Sequence, residues 1–282
     1  MENDLLNKEV ILKVVLNALL EDIGGGDITT NSIIPHESKV KAFLLAKEPG
    51  IIAGLNVAET VFTTLDEKIV FTKKVNDGSR VDAKTVIAEM EGSYRAILTG
   101  ERTALNFLQR MSGIATQTAK FVEAVSGTKT KILDTRKTAP GLRLLDKYAV
   151  KCGGGTNHRI GLYDLVMIKD NHIKVAGSIT KAVDQVLKTL PKGIKIEVET
   201  SNLDEVKEAL QTKADIIMLD NMSTEMMKEA VDIINGKMLV EASGNMSIER
   251  IKETAQTGVD FISVGALTHS VKALDIGQYI KN

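Results

Sequence analysis

Apolar residues near the start of the chain recur at the spacing of an α-helix. They are Leu5, Leu6, Val10, Ile11, Val14, Val15, Leu19 and Leu20. This pattern predicts an amphipathic helix from Leu5 to Leu20, which the run GGGDITT ends. Farther along, short and partly alternating segments near residues 39–47, 68–75 and 85–90 are separated by turn signals such as Asn76-Asp77-Gly78. Those segments predict an antiparallel sheet.

Helical periodicity returns between residues 94 and 126. One stripe is apolar, whereas Arg95, Thr99, Arg102 and Asn106 lie off it. We expect a pair of helices here that bridges two domains. The predicted division is an α+β sandwich domain in residues 1–112 and a catalytic domain in residues 113–282. The carboxyl-terminal tail could also pack on the first domain.

The second half of the chain repeats a simple unit. Six apolar runs are each followed by a stretch of helical character: KILDT, LVMIK, IKIEVE, DIIMLD, KMLVEAS and DFISVG. From Lys195 onward these runs begin roughly every 22 residues, near the minimum for a strand, a helix and two short loops. Such β-α units predict a parallel sheet with helices outside, in either an open doubly wound sheet or a barrel.

Composition and charge narrow the class of protein. The formal net charge is -1, 43% of residues are hydrophobic, only 4% are aromatic, and Trp is absent. This balance is typical of a soluble globular protein and gives no basic surface for nucleic acid. Cys152 is the one cysteine, which excludes an intramolecular disulfide and indicates a reducing compartment. Neither a signal peptide nor a membrane-spanning run is evident. We therefore expect a cytoplasmic protein.

Polar residues end each of the six predicted strands. They are Arg136 and Lys137, Lys169, Glu199, Asp220, Ser243 with Gly244, and Gly265. Because parallel strands end at one edge of a sheet, these residues are expected to gather there, where β/α barrels hold their active sites.

Cationic and acidic candidate residues occupy different parts of the sequence. Cations and donors come first along the chain, as Arg136, Lys137, His158, Arg159 and Lys169. The later strands end in the carboxylates Glu199 and Asp220. The set suits a polyanionic ligand with a hard divalent cation such as Mg²⁺. Glu197 shares a strand face with Glu199, and we expect it to form an ion pair inside the barrel with Arg136 or Lys169.

Five longer segments together resemble the quinolinate phosphoribosyltransferase family. They are EDIGGGDITT, GERTALNFLQRMSGIAT, DTRKTAPGLRLLDKYAVKCGGGTNHRIGLYDLVMIKDNH, DIIMLDN and ISVGALTHS. They span residues 21–270. The resemblance implies an α/β protein in which an amino-terminal α+β sandwich precedes an incomplete β/α barrel of about six parallel strands.

The resemblance also implies an activity and a site. Quinolinate and phosphoribosyl pyrophosphate would give nicotinate mononucleotide, pyrophosphate and CO₂, in NAD biosynthesis, with Mg²⁺. Each site of a homodimer would be completed by Arg102 of the neighbouring subunit, and dimers could assemble further. The implied catalytic residues are Lys137, Lys169, Glu199 and Asp220, of which Glu199 and Asp220 face the metal. The implied substrate-binding residues are Arg102, Arg136, Lys137, Thr138, His158, Arg159, Lys169, Glu199, Asp220, Ser243, Gly244, Gly265 and His269.

Two alternatives stay open at this point. A lysine at a barrel strand end, here Lys169, could form a Schiff base in a class I aldolase. Alternatively, the chain could be a binding protein that retains the pocket without turnover, or a related pyrophosphorylase-like protein associated with molybdenum transport.

Overall fold

The computed structural model describes residues 6–281, so Leu5 of the predicted first helix lies outside the described residues. The helices in this part of the chain are α1 (Lys8–Ile23), α2 (Ile28–Ile33), α3 (Leu55–Leu65), α4 (Tyr94–Ala124), α5 (Arg143–Cys152), α6 (Asp170–Ala176), α7 (Ile179–Leu187), α8 (Leu203–Ala209), α9 (Thr224–Ile234), α10 (Ile248–Gln256) and α11 (Ala266–His269). None of these helices combines the length and hydropathy needed to cross a membrane.

The described strands alternate with these helices along the second half of the chain. They are β1 (Lys39–Ala46), β2 (Gly50–Ile51), β3 (Val70–Lys73), β4 (Arg80–Val81), β5 (Val86–Ser93), β6 (Lys131–Leu133), β7 (Val166–Ile168), β8 (Ile196–Thr200), β9 (Ile216–Asp220), β10 (Leu239–Ser243), β11 (Phe261–Ser263) and β12 (Ile276–Ile280).

The predicted first helix is present as α1. Asn7 caps it by accepting a hydrogen bond from Val10 N (2.9 Å), and Gly24 ends it at φ 50°. Its buried stripe is narrower than the sequence pattern, because Leu20 is 73% exposed.

Contacts divide the chain into two compact units, and neither is a single stretch of sequence. The first unit comprises residues 1–119, 138–154 and 267–282, and the second comprises residues 120–137 and 155–266. The boundary predicted near residue 112 falls inside α4, so the chain passes from one unit to the other within a helix.

The predicted helix pair between residues 94 and 126 is wrong, because α4 is one continuous helix. Gly113 is a residue at which a helix could end, but here it serves close packing. A Cβ at this position would collide with the backbone carbonyl oxygen of Lys272. The glycine is therefore needed for the approach of another segment, not for a break.

The first unit contains the predicted antiparallel sheet, with strand order β12-β1-β5-β3. Strand β1 pairs with β5 on one side and with β12 from the carboxyl-terminal tail on the other. A bulge interrupts the β1–β5 register between Leu44 and Leu45. Alternate residues of β1, Ala42, Leu44 and Ala46, are buried, as expected for a sheet with one covered face.

A buried ion pair joins three separate segments of the first unit. Arg110 of α4 donates from Nε and Nη2 to the two carboxylate oxygens of Asp146 in α5, at 2.9 and 2.8 Å. The Asp146 side chain is fully buried and also accepts from Ala139 N (3.1 Å). Arg110 Nη2 donates further to Thr268 O in α11 (3.3 Å). Each polar atom of the carboxylate thus has a partner, as a buried charge requires.

The second unit is the incomplete β/α barrel that the family resemblance implied. Its six parallel strands have the order β6-β11-β10-β9-β8-β7. The first strand, β6, pairs with the last, β11. Within the described residues β6 and β7 do not pair with each other. Leu133 of β6 instead forms an isolated parallel bridge with Thr156.

We expect Asp146→Ala to lower the free energy of unfolding by about 3 kcal/mol, because it leaves the partly buried Arg110 guanidinium without its carboxylate. Urea denaturation followed by circular dichroism measures this. Glu91→Ala is the matched control, since its exposed pair with Lys41 should contribute less than about 1 kcal/mol. Equal losses in the two variants would mean that the buried pair does not stabilise the first unit more than a surface pair does.

Candidate active site at the carboxyl edge of the parallel sheet

The strand-end residues lie on one edge of the parallel sheet. Lys169 follows β7, Glu199 lies near the end of β8, Asp220 ends β9, and Ser243 ends β10. Strand register places them on one face as well. Glu199 and Glu241 both pair with Met218, and Asp220 pairs with Ser243. Residues opposite one another in parallel strands point to the same side.

Three predicted strand-end residues are separated in sequence from the strands that they follow. Gly265 is separated from β11 by Val264 and immediately precedes α11. Strand β6 is shorter than predicted and ends at Leu133. Arg136 and Lys137 therefore belong to the loop after β6.

Lys169 forms an ion pair with Glu199. The side chain of Lys169 is 43% exposed, whereas that of Glu199 is 13% exposed. Lys169 also stands at the start of α6, where its backbone N donates to His172 Nδ1 (3.0 Å). The helix start fixes the lysine backbone, and the flexible side chain reaches across to β8.

The turns after β9 and β10 are locked together. Asn221, with φ 55°, donates from Nδ2 to Asp220 Oδ2 (2.8 Å) and from its backbone N to Ser243 O (3.0 Å). Gly244 has φ 98°, and a Cβ there would collide with the Asn221 side chain. Only glycine therefore fits this position without strain.

Arg250 was not among the site residues that the sequence predicted. From α10 it donates through Nη1 to Gly244 O (2.8 Å) and through Nη2 to Met222 O (2.7 Å). One guanidinium thus connects both turns. Its only sequence signal is a basic residue in the first turn of a helix, where the helix dipole disfavours it.

A second charged layer lies inside the barrel, and the predicted partners of Glu197 in this layer were wrong. Glu197 of β8 pairs with neither Arg136 nor Lys169. His158 Nε2 lies 3.2 Å from Glu197 Oε2 and 3.4 Å from Glu241 Oε2 of β10. The side chains are 8%, 0% and 1% exposed for His158, Glu197 and Glu241. We call these three residues the inner cluster.

His158 Nε2 is close to an oxygen of each carboxylate, but neither contact has the geometry of a hydrogen bond. Burial raises the pKa of Glu197; His158 opposes this rise and Glu241 adds to it, so that the pKa is about 7. Burial lowers the pKa of His158, but the contacts with Glu197 and Glu241 outweigh burial and raise it to about 10.

The backbone decides where the imidazole proton lies. A raised pKa favours a second proton on Nδ1, yet the backbone N–H of Arg159 donates to that nitrogen at 2.7 Å. A protonated Nδ1 has no lone pair to accept this bond. We therefore assign the neutral form of His158, with its proton on Nε2 and directed at the carboxylates.

The cationic side of the site contains two guanidinium groups near each other. Burial lowers the pKa of Arg159, and the charge of Arg136 lowers it further. Arg136 Nε is buried and has no hydrogen-bond partner within residues 6–281. Two adjacent cations with unused donor capacity suit a ligand that carries carboxylate or phosphate groups.

Three predicted site residues belong to the first unit. Arg102 lies on α4 with an exposed side chain. Thr138 Oγ1 accepts a hydrogen bond from Arg143 Nε (3.2 Å). His269, at the end of α11, is exposed, and its Nδ1 lies 2.7 Å from Ser270 Oγ.

Two family models, each covering a different part of the chain, match this sequence and belong to the same family. Residues 27–112 match the model of the quinolinate phosphoribosyl transferase N-terminal domain. Residues 114–278 match the model of the C-terminal domain of the same family.

Individual relatives match over nearly the whole chain. A probable nicotinate-nucleotide pyrophosphorylase [carboxylating] of Synechocystis is 48% identical over 266 residues, which cover 93% of this chain and 90% of the relative. Quinolinate phosphoribosyltransferase [decarboxylating] 1b of Nicotiana tabacum is 48% identical over 95% of this chain and 81% of its own length.

Solved structures agree with the sequence relatives. NadC from Streptococcus pyogenes superposes with a TM-score of 0.94 at 43% identity, covering 98% of this chain and 99% of that one. The nicotinate-nucleotide pyrophosphorylase from Francisella tularensis gives a TM-score of 0.94 at 47% identity, covering 98% of each chain. This chain belongs to the quinolinate phosphoribosyltransferase family.

Proposed function

We propose that this chain transfers the phosphoribosyl group of phosphoribosyl pyrophosphate to quinolinate and releases pyrophosphate and carbon dioxide. The product, nicotinate mononucleotide, is a precursor of NAD, and we place the reaction in the cytoplasm. The observation that carries this proposal is the charge arrangement at the sheet edge of a chain with near full-length relatives named for this activity. Arg136 and Arg159 supply cations, and Glu199 and Asp220 supply carboxylates on neighbouring strands.

Charge explains how both substrates could bind. Quinolinate has two adjacent carboxylates, and its partner carries a phosphate and a pyrophosphate. Guanidinium groups bind carboxylates in a planar fork, which suits Arg136 and Arg159 to quinolinate. Lys137 and Lys169 act as mobile point charges. The turns that contain Ser243, Gly244 and Gly265 are the proposed phosphate sites of the second unit, and His269 stays a predicted phosphate ligand in the first.

Glu199 and Asp220 fit a magnesium ion. They are oxygen donors on adjacent strands, and Glu199 is mostly buried. Mg²⁺ is usually held by one or two carboxylates, with waters and substrate phosphates completing the octahedron. When bound there, it would neutralise part of the pyrophosphate charge. Lys169 contacts Glu199 Oε2 in the structure, so a cation at this oxygen would compete with the lysine.

The reaction needs little beyond positioning and charge. As pyrophosphate leaves, positive charge develops at C1 of the ribose, where Glu199 and Asp220 can stabilise it. The ring nitrogen attacks this carbon and becomes a pyridinium. Loss of the adjacent carboxylate as carbon dioxide then leaves a carbanion beside the positive nitrogen, and protonation gives the product. The ring itself stabilises the electron pair.

Neither alternative has an observation in its favour. An aldolase lysine is activated by desolvation or by a second cation, whereas Lys169 is partly exposed and contacts a carboxylate. The relatives described above are named for pyridine nucleotide synthesis, not for molybdenum transport.

The metal assignment predicts that chelation stops turnover. Enzyme and substrates freed of metal by EDTA should not consume quinolinate, and added Mg²⁺ should restore the reaction. The measurement is the production of nicotinate mononucleotide from quinolinate and phosphoribosyl pyrophosphate. Full activity without metal would exclude the role of Glu199 and Asp220 as metal ligands. Absence of product with Mg²⁺ present would reject the proposed function.

Arg136→Ala should weaken the binding of quinolinate more than that of nicotinate, which lacks the second carboxylate. Truncating one partner of a desolvated charge pair costs roughly 2–5 kcal/mol. Calorimetry with both ligands gives the comparison. Arg95→Ala is a control on the first unit, because that arginine binds backbone carbonyl oxygens of Asn31 and Ile34. Equal losses for the two ligands would assign Arg136 a structural role instead.

A shared site in a homodimer predicts complementation between two inactive variants. Arg102 is exposed and has no hydrogen bond or ion pair with residues 6–281, as expected for a residue that serves a partner. Arg102→Ala and Lys169→Ala should each be nearly inactive. In a two-fold dimer, a mixed pair has one intact site of two, so random reassembly of equal amounts should restore roughly a quarter of wild-type activity. Mass spectrometry confirms that mixed dimers form. If they form and stay inactive, Arg102 does not act across the interface.

A further inference from the structure

The barrel opening between β6 and β7 is partly filled by another segment of the second unit. Thr156 N donates to Ile132 O (2.8 Å), and Asp134 N donates to Thr156 O (3.2 Å), so residues near 156 run beside β6 as a short added strand. Asp134, fully buried, then accepts from Asn157 Nδ2 (2.6 Å) and His158 N (2.8 Å). We call residues 155–165 the seam segment.

The seam segment contains Arg159 and folds tightly around it. The Arg159 side chain donates from Nη1 to Leu165 O (3.1 Å). Asp164 accepts from Ile160 N (2.7 Å) and from Gly161 N (2.9 Å), which closes the loop. The position of the guanidinium therefore depends on how the segment is held in the barrel.

His158 is the side chain that reaches from the seam segment into the barrel interior. Its Nδ1 accepts the Arg159 N–H, so the ring and the Arg159 backbone hold one another. Its Nε2 faces Glu197 and Glu241, which belong to strands separated by β9. One ring nitrogen thus accepts a hydrogen bond within the seam segment, and the other faces two buried carboxylates.

Two buried carboxylates without hydrogen-bond partners lower the stability of the folded protein. No donor reaches Glu197 Oε1 or Glu241 Oε1 among the described residues. Apolar residues of similar volume would often be as stable or more stable at such positions. Stability alone therefore does not account for two glutamates in this layer.

We propose that Glu197 and Glu241 are positioning residues that hold His158, and through it Arg159, in the orientation that binds quinolinate. The proposal rests on the proposed function for the identity of the ligand. The two carboxylates attract the Nε2–H of His158 across 3.2 and 3.4 Å, and they do not touch the substrate themselves.

A metal ion is the competing explanation for the inner cluster. One ligand atom from each of its three residues lies within 4.8 Å of the others. A metal needs the lone pair of Nε2, whereas the Arg159 hydrogen bond uses the lone pair of Nδ1 and leaves the proton on Nε2. The geometry therefore points to two oxygens that face a protonated nitrogen, and not to metal ligands.

The test compares two double variants of similar side-chain length. The Gln pair (Glu197→Gln with Glu241→Gln) keeps two acceptors, and the Met pair (Glu197→Met with Glu241→Met) keeps none. By calorimetry we expect the Gln pair to bind quinolinate within about threefold of wild type. The Met pair should bind it roughly 5- to 150-fold more weakly, since the buried Nε2–H then faces no oxygen at all. Binding of phosphoribosyl pyrophosphate with Mg²⁺ should change by less than about threefold in both.

Imidazole ¹⁵N NMR gives a reading that does not depend on the substrate. Wild type, the Gln pair and the Met pair should all show His158 protonated on Nε2, because Arg159 N donates to Nδ1 in each. In the Met pair, however, the Nε2 proton should exchange with solvent faster than in wild type and the Gln pair, because no oxygen then faces it. Met218→Leu is the control, because Met218 is buried and pairs in register with Glu241 but offers no acceptor to His158. It should leave both readings unchanged. If the Met pair does not fold, Glu241→Gln and Glu241→Met provide the same comparison.

Three results would overturn the proposal. The Met pair could bind quinolinate as tightly as the Gln pair, or it could lose both substrates equally, which would indicate general damage. Metal analysis could also find a stoichiometric ion that the Gln pair lacks. If wild type binds no quinolinate while the NMR readings are as expected, the positioning of His158 stands and the proposed function fails.

Discussion

The parallel register of six strands decides where the charged side chains of the second unit lie. Residues of one parity share a face, so Glu197 and Glu199 of β8 point the same way as Glu241 and Ser243 of β10. Residues near the carboxyl ends gather at an open edge, where solvent and ligands can reach them. Glu197 and Glu241, which lie two residues earlier on the same strand faces, are buried inside the barrel. The same alternation therefore produces a binding edge and, beneath it, a buried layer of charge.

Buried charge imposes the second constraint, because an ionised group inside a protein needs a partner. In the first unit Asp146 has one, the two-pronged contact with Arg110. In the second unit Glu197 and Glu241 share His158, whose other nitrogen holds the backbone of Arg159. The first arrangement satisfies its carboxylate fully, whereas the second leaves acceptor oxygens unused. That difference is why we assign stability to the former and positioning to the latter.

The sequence predicted what depends on periodicity and chain direction. The parallel sheet, its polar edge and the first helix follow from apolar spacing, and the family follows from long specific segments. Contacts between residues distant in sequence could not be predicted from these patterns. Glu197 was expected to pair with Arg136 or Lys169, because nothing in the pattern shows that residues 155–158 run beside β6 and bring His158 inward. Glu241 and Arg250 were not predicted, because their contacts also join residues that are distant in sequence. The expected helix pair is one helix, and Gly113 within it is needed for close packing, a role that has the same sequence signal as a helix end.

The central claim is that the charged edge of the sheet joins phosphoribosyl transfer to decarboxylation of quinolinate. Quinolinate labelled with ¹⁴C in the carboxyl group next to the ring nitrogen tests this coupling directly. With phosphoribosyl pyrophosphate and Mg²⁺, labelled carbon dioxide and pyrophosphate should appear in equal amounts, and neither should appear when phosphoribosyl pyrophosphate is left out. Release of pyrophosphate without labelled carbon dioxide, or of carbon dioxide without the ribosyl donor, would contradict the account.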